Sequence, residues 1–168
     1  MNIVQPFLNR ARSHPQLSAL SCHGQTLTYG QLALRSHALA SGMLQNLSLK
    51  RAQRVMVCIE NRAAFFETLF ACWIAGLCPV PVNAKLHPKE VRQIAGDCQA
   101  SVLFCSAALH QGLQTVLLDM PQAPQLLCVD DDAYAGLLRH APTDCVPMQA
   151  DDIAWIFYTS GTTGVSGG

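Results

Sequence analysis

Charged side chains are scarce in this sequence, and neither sign prevails. Only 13% of its 168 residues are Asp, Glu, Lys or Arg, 11 acidic against 11 basic, so the formal net charge is zero. Without a basic excess there is no electrostatic footprint for nucleic acid or an anionic membrane surface, and no acidic tail is present. Long apolar runs are also missing. The most hydrophobic stretch, 68–82, is too short to span a bilayer, is flanked by Glu67 and carries Pro79 and Pro81. Residues 1–20 contain Arg10, Arg12 and His14 but no apolar core, so no secretory signal is expected there. There is no internal repeat and no low-complexity linker.

Paired-cysteine spacings are absent as well. The eight cysteines, Cys22, Cys58, Cys72, Cys78, Cys98, Cys105, Cys128 and Cys145, form no C-x-x-C and no Cys/His grouping with zinc-ligand spacing. Most sit inside apolar runs, which predicts small buried thiols in a reducing, cytoplasmic setting and not a disulfide framework. The histidines, His14, His23, His37, His87, His110 and His140, are scattered, and no nucleophile–base arrangement can be built from their spacing.

Hydrophobic residues make up half the chain. That excludes a disordered class, and a chain of this length can bury roughly 70% of its unfolded surface. Length leaves room for one domain or two small ones. Neutrality with this much apolar surface also predicts limited solubility.

The pattern alternates strand-like and helix-like segments. A short helix over 4–13 ends at His14-Pro15. Runs at 17–22 and 25–28 flank His23-Gly24 as a hairpin. Thr28 caps a helix that continues to about residue 47, with Gln31 three positions on as in a capping box. A buried strand over 54–59 precedes a helix over 62–75 that is apolar nearly all round and is expected to be sandwiched in the core. Gly76 stops it, and 77–82 reads as an edge strand because of its prolines.

A helix over 88–98 follows, with Pro88 in its first turn and Val91, Ile94 and Ala95 as its apolar stripe. Next come a strand over 101–105, a short helix over 107–111, a weak strand or loop over 115–118 and a strand over 126–129. An acidic turn at Asp130–Asp132, a helix over 134–138, a loop over 140–151 and a closing strand over 153–158 complete the chain. The expected class is α/β, a largely parallel sheet flanked by helices.

The closing strand runs into Thr159, Ser160, Gly161, Thr162, Thr163 and Gly164: four hydroxyls and two glycines in six positions. Glycines let backbone N–H groups turn inward and hydroxyls add donors without bulk, which suits a phosphate group. The position expected for this loop, at the carboxyl end of a strand, is where open α/β sheets place their ligand crevice. It lacks the Gly-Lys-Ser/Thr of a Walker A loop. A Ser/Thr/Gly turn taken alone reads better as an ordinary polar surface loop.

The string Tyr158-Thr159-Ser160-Gly161-Thr162-Thr163-Gly164 resembles the phosphate-binding signature of the AMP-forming acyl-activating superfamily. The stretches 27–32, 67–83 and 88–104 resemble the family in the same order. The resemblance implies the incomplete N-terminal subdomain of the adenylate-forming fold over 1–168, ending after the phosphate loop. It implies ATP phosphate contacts by Thr159, Ser160, Gly161, Thr162, Thr163 and Gly164. It also implies Mg2+ with ligands elsewhere, coenzyme A as co-substrate, and a nucleotide and a carboxylic acid as partners.

No catalytic residue and no metal ligand is assigned within the chain, because the family's metal-binding Glu, adenine and acyl pockets and catalytic Lys lie downstream. The chain alone is therefore expected to be inactive. Gly167 stands where the family usually has Lys or Arg, and losing a charge-assisted contact would weaken the site about ten- to a hundredfold.

The segment 82–90 looks more like acyl- or aryl-CoA ligases, including those of fatty acid metabolism, than like peptide-synthetase adenylation domains. Alternatives are a peptide-synthetase-type fragment, a non-catalytic nucleotide-binding module or a gene remnant. The triad Asp130-Asp131-Asp132 reads as a solvated helix-start turn and the pair Asp151-Asp152 as a solvated strand entry. Phe65, Phe66, Phe70 and Trp73 read as core packing, and Lys85, His87, Lys89 and Arg92 as a solvated helix start.

Overall fold

The computed structural model describes residues 3–147, 152–158 and 165–167, the last three for their backbone. Helix α1 (Gln5–Ser13) precedes a hairpin of β1 (Ser18–Cys22) and β2 (Gln25–Thr28), paired antiparallel around His23 and Gly24, both at positive φ as a two-residue type I′ turn demands. Helix α2 (Tyr29–Gln45) starts with the expected capping box. Gln31 N–H donates to Thr28 Oγ1 at 3.1 Å and Thr28 N–H to Gln31 Oε1 at 2.9 Å. Such a cap contributes about 1 kcal/mol.

Next come β3 (Arg54–Cys58), α3 (Ala63–Ile74), β4 (Cys78–Pro81), α4 (Pro88–Asp97), β5 (Ala100–Cys105), α5 (Ala107–Leu117), β6 (Gln125–Cys128) and α6 (Asp132–Leu137). The strands β4-β3-β5-β6 form one parallel sheet. The proline-bearing β4 takes an edge of that sheet, as its missing N–H donors require. Gly76, at φ +73°, terminates α3 in the left-handed conformation.

Helices cover both faces of the sheet. Val55 and Val57 of β3 point into one apolar cluster with Leu39, Met43, Ala71 and Ile74, while Met56 and Cys58 point into the other with Val91, Ile94, Ala95 and Leu113. The period of two divides the strand between layers, and burial on both sides explains its unbroken hydrophobic run. At one point the layer of helices is tight enough to exclude a side chain: a Cβ on Gly42 of α2 would meet Leu137 O at 2.5 Å.

Six cysteines are buried and two, Cys22 and Cys145, are half-buried; none is bonded to another. Cys58, Cys105 and Cys128 are register partners across three adjacent strands. Burial pushes the Cys58 and Cys105 thiols up to about 12 and those of Cys78 and Cys98 up to about 11.

Two expectations need correction. Residues 107–117 form one helix, not a short helix followed by a weak strand. Leu113 and Leu117, four residues apart, are buried together, and Thr115 returns its hydroxyl to Gln111 O at 3.0 Å, so the β-branched pair at 115–116 sits within helical geometry. The closing strand is also shorter than 153–158 and is outside the parallel sheet. It is β7 (Ile156–Tyr158), lying beside β4 and paired antiparallel with β8 (Val165–Gly167). No described helix is long and apolar enough to cross a membrane.

Candidate functional site

The six loop residues singled out by the sequence, Thr159, Ser160, Gly161, Thr162, Thr163 and Gly164, lie outside the described residues. What surrounds them is described. Tyr158 pairs with Val165, Phe157 with Ser166 and Ile156 with Gly167, so the loop sequence joins the two strands of an antiparallel ribbon. Gly167, where a cation was expected, occupies a ladder position of β8.

The approach to the loop is tied to the domain by directional contacts. Val146 N–H donates to Ile74 O at 2.7 Å. Arg51 donates to Pro147 O at 2.7 Å and pairs with Asp152. The Trp73 indole N–H donates to Ala154 O at 2.6 Å, and the Tyr158 hydroxyl to Asp97 Oδ2 at 2.7 Å.

Between Asp152 and Tyr158 the chain alternates. Ala154 and Ile156 are buried, whereas Ile153 and Phe157 are 52% and 41% exposed. Period two thus begins before the strand itself, which is why the sequence reads as a longer strand. Trp73, Trp155 and Phe157 touch in series, the first pair tilted and the second edge-to-face, with ring centroids 5.7 and 5.6 Å apart.

Elsewhere a concavity of about 810 Å³ opens at the carboxyl ends of β3, β5 and β6 beneath the β1–β2 hairpin. Here Glu67, 1% exposed within α3, accepts hydrogen bonds from Arg35 of α2 and from the Tyr134 hydroxyl of α6. A buried carboxylate needs such partners, and the three helices are joined through it. Burial first, and the neighbouring carboxylate second, push the Tyr134 phenol well above its ordinary value. Beside this network Arg62 pairs with Asp130, which also accepts the Ala107 N–H at 2.9 Å. The Arg62 contact, then that N–H, hold the Asp130 carboxyl below its usual range. Ser106 Oγ is buried there without a hydrogen-bond partner among the described residues.

Sequence reasoning missed this cluster. Glu67 reads as the flank of an apolar stretch and Asp130 as a solvated turn. The available signal was one acid within an otherwise apolar helix, which must find a partner when that helix is buried. Other side chains are also engaged locally. His87 accepts from Lys89 N–H at 3.1 Å as the cap of α4, and Arg92 donates to Val116 O at 2.6 Å and pairs with Asp119. These contacts use Arg92 and His87 within the fold. No group of three His, Cys, Asp or Glu able to hold a metal occurs among the described residues.

Residues 7–168 match the family described as AMP-binding enzyme. The chain is 36% identical over 164 residues to a feruloyl-CoA synthase from an Amycolatopsis species, covering 94% of this chain and 30% of that protein. It is 32% identical over 170 residues to the fatty acid–[acyl-carrier-protein] ligase ScoC of Streptomyces coeruleorubidus, covering 99% and 32%. Among solved structures, the inhibitor-bound N-terminal domain of FACL13 from Mycobacterium tuberculosis superposes with a TM-score of 0.84 at 26% identity, over 99% of this chain and 43% of that one. The chain spans about a third of the length of the curated relatives it matches.

Proposed function

We propose, from the fact that this chain belongs to the AMP-binding enzyme family, that it is the N-terminal portion of an ATP-dependent carboxylate–CoA ligase. In this reading Thr159, Ser160, Gly161, Thr162, Thr163 and Gly164 hold the ATP phosphates. The observation that supports it is the antiparallel pairing of Tyr158 with Val165. It gives the hydroxyl- and glycine-rich sequence two fixed ends on a ribbon tied to the domain. Backbone and hydroxyl donors held this way favour a negatively charged group without reorganising to meet it.

In the reaction proposed for the whole enzyme, a carboxylate oxygen attacks the α-phosphorus of ATP and pyrophosphate leaves. The sulfur of coenzyme A then attacks the carbonyl carbon of the resulting acyl-adenylate, the bond to the AMP oxygen breaks, AMP leaves and the thiol proton is lost to solvent. Magnesium accompanies the phosphates in this reading. Its ligands are assigned in this reading to the part of the enzyme beyond this chain. The chain brings the phosphate loop and its support. The acid-binding and thiol-transfer functions are assigned to the remaining length that its relatives possess.

An aromatic or fatty acid as substrate is favoured by the names of the relatives. The carrier-protein ligase ScoC favours a second reading of the acceptor, a thiol borne by a carrier protein. Buried, unbonded thiols support a reducing cytoplasmic location.

Calorimetric titration of the chain with ATP tests the reading. Binding is expected, with no carboxylate-dependent pyrophosphate exchange by the 168-residue chain alone. Absence of ATP binding would remove the phosphate-loop assignment, and exchange by the chain alone would remove its dependence on further protein.

A further inference from the structure

Tyr158 is the last residue before the loop, and its hydroxyl reaches across the domain to Asp97 at 2.7 Å. Asp97 ends α4, a helix seated on the sheet through Val91, Ile94 and Ala95. The carboxylate is therefore carried by a rigid element, and it offers a charged acceptor, which makes a stronger hydrogen bond than a neutral one. The other ties, Arg51 to Asp152 and Trp73 to Ala154 O, fix the chain four to six residues further back. Ile156 is buried and pairs with Gly167 of β8. An isolated two-stranded ribbon is marginal in water, so β7 and β8 do not fix their own position. At the point from which the loop departs, Tyr158 packs against the second apolar cluster and pairs with Val165, and the Asp97 contact adds a directional side-chain tie to the domain.

We infer that Asp97 is a positioning residue for the phosphate loop, acting through Tyr158 to set where residues 159–164 leave the domain. This rests on the reading of that loop as a phosphate site. A donor set misplaced by about an ångström loses much of its effect, so the contact bears on affinity more than on global stability. Asp97 is exposed and Tyr158 is half-buried against the second apolar cluster, so removing the Asp97 carboxylate exposes no core.

The experiment uses the full chain with Asp97→Ala, Asp97→Asn and Tyr158→Phe, titrated with ATP and followed by thermal unfolding and amide hydrogen exchange. Asp97→Ala and Tyr158→Phe are expected to weaken ATP binding about three- to tenfold. Asn, which still accepts the hydroxyl, restores most of the affinity. Exchange at residues 156–158 accelerates in the Ala and Phe variants while β3 is unchanged, and the melting temperature moves by no more than about 2 °C.

Wild-type affinity in Asp97→Ala overturns the inference. So does a loss that Asn does not rescue and that follows a fall in melting temperature. If the unsubstituted chain binds no ATP, the phosphate reading falls by itself. The exchange pattern then still decides whether Asp97 holds this end of β7: unchanged exchange at 156–158 removes the contact's role, and acceleration keeps it.

Discussion

Strand β3 is gripped on both faces by side chains that are almost completely buried, with Val55, Met56 and Val57 at 0% exposure. Strand β7, by contrast, has one buried residue at Ile156 and an exposed one at Phe157, and its approach is held by named hydrogen bonds to Trp73, Arg51 and Asp97. The first strand is positioned by ladders to β4 and β5 on both edges and by apolar area on both faces, the latter non-directional and tolerant of small shifts in geometry. The second is positioned by a few contacts that each specify an angle and a distance. A functional loop that needs accurate placement rather than bulk stability is better served by the second kind of support.

The contrast can be broken from the core side first. Phe104→Ala should cost about 3–5 kcal/mol, because this fully buried ring touches Tyr134 and the α2–α3 layer. Denaturant unfolding checks it, and the loss should appear in the whole domain. Arg35→Ala should cost about 2 kcal/mol by leaving Glu67 with Tyr134 alone. The value falls below that for a wholly buried pair because water reaches the Arg35 side.

Alkaline pH should also act on the sheet before the ribbon. The ordinary thiol value is 9.0, and burial raises the Cys58 thiol to about 12. The protonated thiol therefore stabilises the fold below pH 9, and this contribution is lost as pH rises from about 9 to 12, at roughly 1.4 kcal/mol per unit for such a group. Chemical denaturation at pH 7.5 and pH 10 measures the fall. A flat profile would mean that the thiols ionise in the folded state.

The ribbon-side test is Trp73→Phe, which keeps a ring but removes the donor to Ala154 O. About 1–2 kcal/mol is expected. Hydrogen exchange should accelerate at 152–158 more than in β3; uniform acceleration would erase the distinction between the two regions. The smallest effect is assigned to Asp119→Ala. Asp119 is 84% exposed beside Arg92, and its removal should leave the melting temperature unchanged to within about 1 °C.

The regions also differed in how far they could be read from the sequence. The sheet was legible because its signals are local. Five apolar runs with intervening helices, the Thr28–Gln31 capping box, the Gly76 stop and the prolines of β4 each act within a few residues. Helix α5 was misjudged because Thr115 and Val116 favour a strand in isolation, and burial of Leu113 and Leu117 overrides that preference.

The loop was visible as a chemical string, but not the strand pairing on either side of it, since β8 carries no hydrophobic run. Long-range partners were illegible for the same reason. Nothing near Glu67 in the chain names Arg35 or Tyr134, and nothing near Tyr158 names Asp97.

The distribution of the cysteines makes the molecule a reporter of its own opening. Cys22 and Cys145 meet solvent in part, while the six others are sealed in the layers on either side of the sheet. A thiol-selective alkylating reagent should therefore modify the half-buried pair first, and the rest only when the segment around each one opens. Mass spectrometry of the modified chain over time would rank Cys78 at the sheet edge, Cys128 on β6 and Cys58 at the centre by the free energy of their exposure. No substitution would have to be introduced.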